Sequence, residues 1–212
     1  MIDWLNSPPF GAPTTWAEVL GFATGALCVL LVARRNIVNW PVGIANNLLW
    51  ILLFATAGLY ADSALQVVYI ALALYGWWQW RYGGVGRRPL PVSTLTPTEW
   101  VVLAGALLAG TAAITFVLDR LTGSTVPFWD AITTVLSLLA TYGQSRKKVE
   151  SWYFWIAADL IYIPLYQAKG LTLTAILYVV FLGLCLYGLV GWRREADREP
   201  AVPADLALAG SA

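Results

Sequence analysis

The stretch Arg34–Arg81, RRNIVNWPVGIANNLLWILLFATAGLYADSALQVVYIALALYGWWQWR, returns without a gap as Arg146–Arg193, RKKVESWYFWIAADLIYIPLYQAKGLTLTAILYVVFLGLCLYGLVGWR. The offset is 112 residues, and 18 of the 48 aligned pairs are identical. They include Trp40/Trp152, Gly58/Gly170, Tyr75-Gly76/Tyr187-Gly188 and Trp80-Arg81/Trp192-Arg193. Apolar composition alone produces scattered matches, but not this ordered series in one register. The chain is a duplicated unit, and both copies are strongly apolar. Repeats built from membrane helices are typical of secondary transporters, which hold substrate at the repeat interface.

Composition supports a membrane setting. The chain is 59% hydrophobic and 12% charged, against roughly 25% charged in soluble domains. Mean hydropathy is +0.66. Backbone exposed to lipid must satisfy its own hydrogen bonds, so the fold class is all-α. A net charge of +1 leaves no nucleic-acid footprint. There is no histidine, which removes the usual zinc and imidazole proton chemistry. Cys28 and Cys185 lie within apolar segments and read as small core residues. No cofactor and no metal are expected. Residues 1–13 carry no Lys or Arg, so no cleavable signal peptide is read there.

Seven segments are long enough to span a bilayer: Trp16–Ala33, Trp40–Leu59, Ala61–Trp80, Glu99–Leu118, Phe128–Ser145, Trp152–Gln167 and Leu171–Trp192. Pro164 is expected to bend or locally unwind the sixth. Basic residues cluster after odd-numbered segments: Arg34, Arg35, Arg81, Arg87, Arg88, Arg146, Lys147, Lys148, Arg193, Arg194 and Arg198. The opposite side has Arg120 and Lys169. The positive-inside rule then puts the N-terminus outside and the C-terminus in the cytoplasm. Segments one and five run the same way, so the three-helix units (16–81 and 126–194) are parallel repeats. The fourth segment (98–119) is the inversion linker between them, reached through a cytoplasmic loop (82–97). An extracellular N-terminus (1–15) and a disordered cytoplasmic tail (195–212) complete the expected domains.

The 3+1+3 arrangement resembles the SWEET architecture. Local motifs resemble the PnuC vitamin transporters: Val126-Pro127-Phe128-Trp129-Asp130, Arg146-Lys147-Lys148-Val149-Glu150-Ser151-Trp152, and Tyr75-Gly76-Trp77-Trp78-Gln79-Trp80 with its W-x-x-W element at Trp77 and Trp80. The resemblance spans about residues 16–194. It implies facilitated uptake of a vitamin or nucleoside-like cofactor precursor into a bacterium through its inner membrane. Nicotinamide riboside, an NAD precursor, is the expected cargo, with thiamine or riboflavin as the alternative. A homotrimer is implied, with trapping of the cargo by a cytoplasmic kinase. The nicotinamide riboside branch typically carries Asn at the position of Asp159.

Asp159 is the sharpest candidate. A carboxyl at mid-bilayer costs about 2.5–3.5 kcal/mol on insertion scales, so it normally faces a cavity or a partner. Trp155, Asp159, Tyr162 and Tyr166 share one helix face. A carboxylate among aromatic rings suits a flat cationic heterocycle; the plainer reading is a structural hydrogen bond. Asn47 and Trp50 are the repeat mates of Asp159 and Tyr162. Asn46 and Gln66 match family positions, and the resemblance makes them substrate-binding candidates. Trp77, Tyr69 and Tyr178 are candidates for gating or stacking. Trp40, Trp78, Trp80 and Trp152 read as interfacial anchors. Glu18 and Asp130 are repeat mates near helix starts and read first as helix-end acids. Ser137, Thr141 and Gln144 form a polar stripe that suits a pathway lining or plain packing. An enzyme is disfavoured, because no nucleophile–base pair or carboxylate pair is present. A receptor without a pathway is the remaining alternative.

Overall fold

The computed structural model describes residues 16–198, except 57, 59, 122–124, 169 and 171. The expectations for residues 1–15, 199–212 and Lys169 lie outside the described residues. Seven α-helices follow in order: α1 (Trp16–Ala33), α2 (Asn39–Thr56), α3 (Tyr60–Tyr82), α4 (Pro97–Leu121), α5 (Pro127–Ser145), α6 (Ser151–Ala168) and α7 (Thr172–Arg198). The shortest, at 18 residues, is about 27 Å long, near the thickness of a hydrocarbon core. A 3-10 turn at Val85–Arg87 lies in the α3–α4 loop.

Helix ends follow local chemistry. α4 starts two residues earlier than expected because Thr96 caps it. Glu99 N–H donates to Thr96 Oγ1 and Thr96 N–H donates to Glu99 Oε2, a capping box with Pro97 at the first helical position. α7 continues four residues past Arg194, so Glu195–Arg198 are helical where a disordered tail was expected. The physical tie is Glu195, which pairs with Arg35 at 3.6 Å. Pro164 does not unwind α6, which stays helical from Ser151 to Ala168; one missing donor is tolerated when neighbouring helices support the backbone.

The duplication is visible in backbone detail. After α1, Asn36 N–H bonds Leu31 O and Arg35 N–H bonds Val32 O; after α5, Lys148 N–H bonds Gly143 O and Lys147 N–H bonds Gln144 O. Each is a Schellman stop, with Arg35 (φ 57°) and Lys147 (φ 49°) in the left-handed region. Gly58 (φ 76°) and Gly170 (φ 74°) follow α2 and α6 in the left-handed region, their N–H groups bonding Ala55 O and Gln167 O.

The repeats interlock. Within each, the three helices pack in sequence; α3 then packs on α5, and α7 on α1. Six helices therefore close a ring, and α4 lies outside it against α5. At one end of the ring sits a tryptophan cluster. Trp40 meets Trp80 edge-on (5.3 Å), Trp80 meets Trp192 (5.9 Å), and Trp192 meets Trp152 edge-on (5.4 Å). All four are buried, at 0–5% exposure. The expected interfacial anchors Trp40, Trp80 and Trp152 are thus core residues, and Trp78 alone of that group is exposed. The reason is a notch: Gly76 and Gly188 leave room for the rings of Trp40 and Trp152. The cluster also ties the repeats together. Trp80 Nε1 donates to Gln144 O (2.8 Å), and its mate Trp192 Nε1 donates to Val32 O (3.1 Å). Trp192→Phe keeps an aromatic ring but removes this donor and part of the indole from a fully buried site. It is expected to lower stability by about 1–3 kcal/mol, read by thermal unfolding in detergent.

Candidate functional site

The ring of six helices encloses a cavity of about 620 Å³. It runs from Asp62 and Thr174, in the first turns of α3 and α7, to Val32, Asn39 and Trp40 at the tryptophan end. Ten of the eleven expected site residues line it: Asp159, Asn46, Asn47, Trp50, Gln66, Trp155, Tyr162, Tyr166, Tyr69 and Tyr178. The eleventh, Trp77, does not. It packs against the buried tryptophan cluster instead. Its mate in the second repeat is Leu189, an aliphatic residue packed on the same cluster.

Aromatic rings build two walls. On α2, Trp50 stacks on Phe54 at 5.3 Å. From α6 and α7, Tyr162, Tyr166 and Tyr178 form a triangle with centroids 4.6–5.6 Å apart, extended by Phe181 at 5.8 Å from Tyr178. Gly21 permits the first wall: a Cβ there would lie 2.4 Å from the Trp50 ring. Gly21→Ala is therefore expected to displace Trp50 and weaken cargo binding several-fold with the fold intact, as read by ligand titration.

Polar groups punctuate the walls. Asp159 is 3% exposed and its Oδ2 accepts a long hydrogen bond from Cys185 Sγ (3.5 Å). Among the described residues no Lys or Arg pairs with it. Cys185 is a buried core residue as expected, Cys28 is half-buried, and both reach the cavity. Asn46 is already engaged within the protein. Its Nδ2 donates to Gly21 O (3.1 Å) and Thr24 Oγ1 (2.6 Å), so its amide hydrogens tie α2 to α1. Asn47 and Gln66 make no such side-chain bonds among the described residues. The α5 stripe lines the cavity through Ser137, Thr141 and Gln144, and Tyr69 hydrogen-bonds Ser137 across the repeats. Asp130 lies in the first turn of α5 and is not a lining residue; the side chain of Glu18 is outside the described residues.

Phe22, Phe54, Phe181, Asn39, Asp62 and Thr174 line the cavity and were not singled out from sequence. The repeat register would have found several. Shifting the α6 face Trp155, Asp159, Tyr162, Tyr166 by 112 gives Gly43, Asn47, Trp50 and Phe54, all of which line the cavity. The same shift turns Tyr69 into Phe181 and Asp62 into Thr174. The two halves are related but not equal: α6 carries Asp159 where α2 has Asn47, and α3 carries Asp62 where α7 has Thr174. The arrangement can sandwich a flat ring system and hydrogen-bond its polar edges.

The profile of a family described as nicotinamide mononucleotide transporter matches residues 15–194. The chain is 31% identical to the riboflavin/roseoflavin transporter RibM of Streptomyces davaonensis, over 95% of this chain and 98% of that protein. It is 26% identical to the nicotinamide riboside transporter PnuC of Escherichia coli, over 88% of each. Among solved structures, a crystal structure of the vitamin B3 transporter PnuC superposes with a TM-score of 0.70 at 26% identity, covering 88% of this chain and 84% of that one.

Proposed function

We propose a function from one premise: the chain belongs to the nicotinamide mononucleotide transporter family, a family of membrane vitamin transporters and not of enzymes. The protein is a multi-pass membrane transporter for a small vitamin. The finer reading is that its cargo is riboflavin. The observation that carries this is the cavity of about 620 Å³ between extended aromatic walls. Its size lies within the range of sites that enclose a whole small molecule. A three-ring flavin offers stacking surface to Trp50 and Phe54 on one side and to Tyr162, Tyr166 and Tyr178 on the other. Asn47, Gln66 and Asp159 offer partners to its ring edge and sugar-alcohol hydroxyls. The similarity to RibM supports the same reading.

A second reading keeps nicotinamide riboside as cargo. It is favoured by Asp159, a buried acid without a cationic partner among the described residues, which suits a positively charged ring. Similarity to the PnuC proteins adds to it. Thiamine, the other flat cation, has no relative named for it among these proteins.

Transport in either case is read as facilitated diffusion by alternating access, with the two three-helix bundles rocking about the cavity. The tryptophan end is closed here, so opening it requires separating Trp80 from Gln144 and Trp192 from Val32. With the N-terminus outside, as basic-residue placement favours, that end faces the cytoplasm, where a kinase would trap the cargo. Assembly as a homotrimer is part of the proposal. The exposed apolar side chains of α4 (Val101, Val102, Leu108, Phe116) offer a surface for it.

The test is a titration of purified protein with riboflavin, nicotinamide riboside and thiamine, followed by uptake into liposomes without an ion gradient. Riboflavin is expected to bind most tightly, to quench the cavity tryptophans and to equilibrate. Tight binding of nicotinamide riboside with none of riboflavin would overturn the flavin reading. Binding without flux would replace the transporter by a receptor.

A further inference from the structure

A second concavity, of about 410 Å³, lies between the end of α1 and the extension of α7. It is lined by Arg34, Arg35, Arg194 and Arg198, with Tyr187, Val190 and one acid, Glu195. The site plays no part in the cargo cavity. Arg35 bonds Gly191 O (3.5 Å) and pairs with Glu195 (3.6 Å). Arg34, Arg194 and Arg198 have no acidic partner among the described residues. Four guanidinium groups facing one carboxylate leave a surplus of positive charge in a formed groove.

Among the described residues, the duplication sets this groove against an equivalent corner that is filled. Its counterpart, between the end of α5 and the end of α3, involves Arg146, Lys147, Tyr75 and Gln79, the mates of Arg34, Arg35, Tyr187 and Gly191. There the α3–α4 loop fills the corner. Lys147 Nζ donates to Leu90 O (2.7 Å) and lies 4.7 Å over the Trp80 ring. Leu90 N–H bonds Trp80 O, and Ser93 pairs with the Lys147–Val149 backbone on both sides. Lys148 Nζ donates to Thr94 O (2.9 Å) and Glu99 Oε2 (3.1 Å). Loop carbonyls and Glu99 thus satisfy Lys147 and Lys148 at one corner, and Arg146 is engaged by Tyr75. At the other corner arginines stand where that loop would be.

We propose that this groove binds a phosphate group, carried by an anionic membrane lipid. Guanidinium forks match phosphate oxygens bidentately, which ammonium groups do not. Basic pockets between helices at the cytoplasmic boundary are the expected seats for phospholipid headgroups. The lipid source is favoured by what adjoins the arginines. Leu186, Tyr187 and Val190 of α7 are 47–53% exposed and Leu27 of α1 is 45% exposed, giving acyl chains an apolar track away from the headgroup.

The test uses the full chain in detergent and in nanodiscs. Native mass spectrometry is expected to show phosphatidylglycerol retained by the wild type. Added phosphatidylglycerol should raise its unfolding temperature, where phosphatidylcholine does not. The variant R34Q/R194Q/R198Q should lose retention by roughly tenfold or more. R34K/R194K/R198K keeps the charge that orients the chain and should fall in between. R87Q/R88Q removes charge from exposed loop residues and should behave as wild type. Equal retention in wild type and R34Q/R194Q/R198Q, or equal loss in R87Q/R88Q, overturns the site. If inorganic phosphate at millimolar concentration reproduces the stabilisation, the ligand is a soluble phosphate and the lipid assignment fails.

Discussion

Asp159→Ala is expected to weaken cargo binding roughly 10- to 100-fold, the range for losing a buried hydrogen bond to a charged group, while leaving an assembled protein. The side chain sits in the cavity wall with only the thiol of Cys185 bonded to it among the described residues, so its removal strips little from the fold. The informative companion is Asp159→Asn, which preserves shape and hydrogen-bonding capacity but removes charge. A neutral flavin should bind Asp159→Asn within a few-fold of wild type. A cationic nicotinamide or thiazolium ring should lose as much as it does with Ala. Calorimetric titration of both variants against riboflavin and nicotinamide riboside reads the difference directly. Wild-type uptake by Asp159→Ala would remove the residue from the site altogether.

Gly188→Ala is the second large effect, and it concerns the closed end. A Cβ at Gly188 would lie 2.5 Å from the Trp152 ring, and one at Gly76 would lie 2.2 Å from Trp40. Both rings are wedged in the buried cluster, so neither can swing aside without disturbing Trp80 and Trp192. Overpacking of this kind costs about 1–3 kcal/mol, occasionally more. The unfolding temperature should drop by several degrees for either variant, and tryptophan emission should shift to the red. Gly105→Ala and Gly183→Ala are the controls. Nothing lies within 4 Å of a Cβ at either site, so helix propensity alone should leave them neutral or up to about 1 kcal/mol more stable. Equal behaviour of all four variants would show that the notches do not hold the rings.

These two sites differ in how far they were legible. The α6 face was readable because a helix has a fixed period: Trp155, Asp159, Tyr162 and Tyr166 must point one way. An acid in an apolar run then implies that this way is a cavity. The tryptophans were misread because indole suits both a membrane interface and a dry core. Which one applies depends on the opposite surface, and the notches at Gly76 and Gly188 lie 36 residues further along the chain. Asn46 illustrates the same limit. Its position on the helix was readable, but its engagement by Gly21 and Thr24 required knowing how α1 crosses α2.

By itself the sequence determined the number of spans, the duplication at offset 112, and the faces that carry polar and aromatic groups. Hydropathy and helical period are local properties, and they survive any arrangement of the helices. Only the tertiary structure decided that α3 packs on α5 and α7 on α1. That interlocking places the α2 and α6 faces around one cavity and buries the four tryptophans at its end. Those outcomes rest on close approach between residues far apart in the chain, which neither period nor composition encodes.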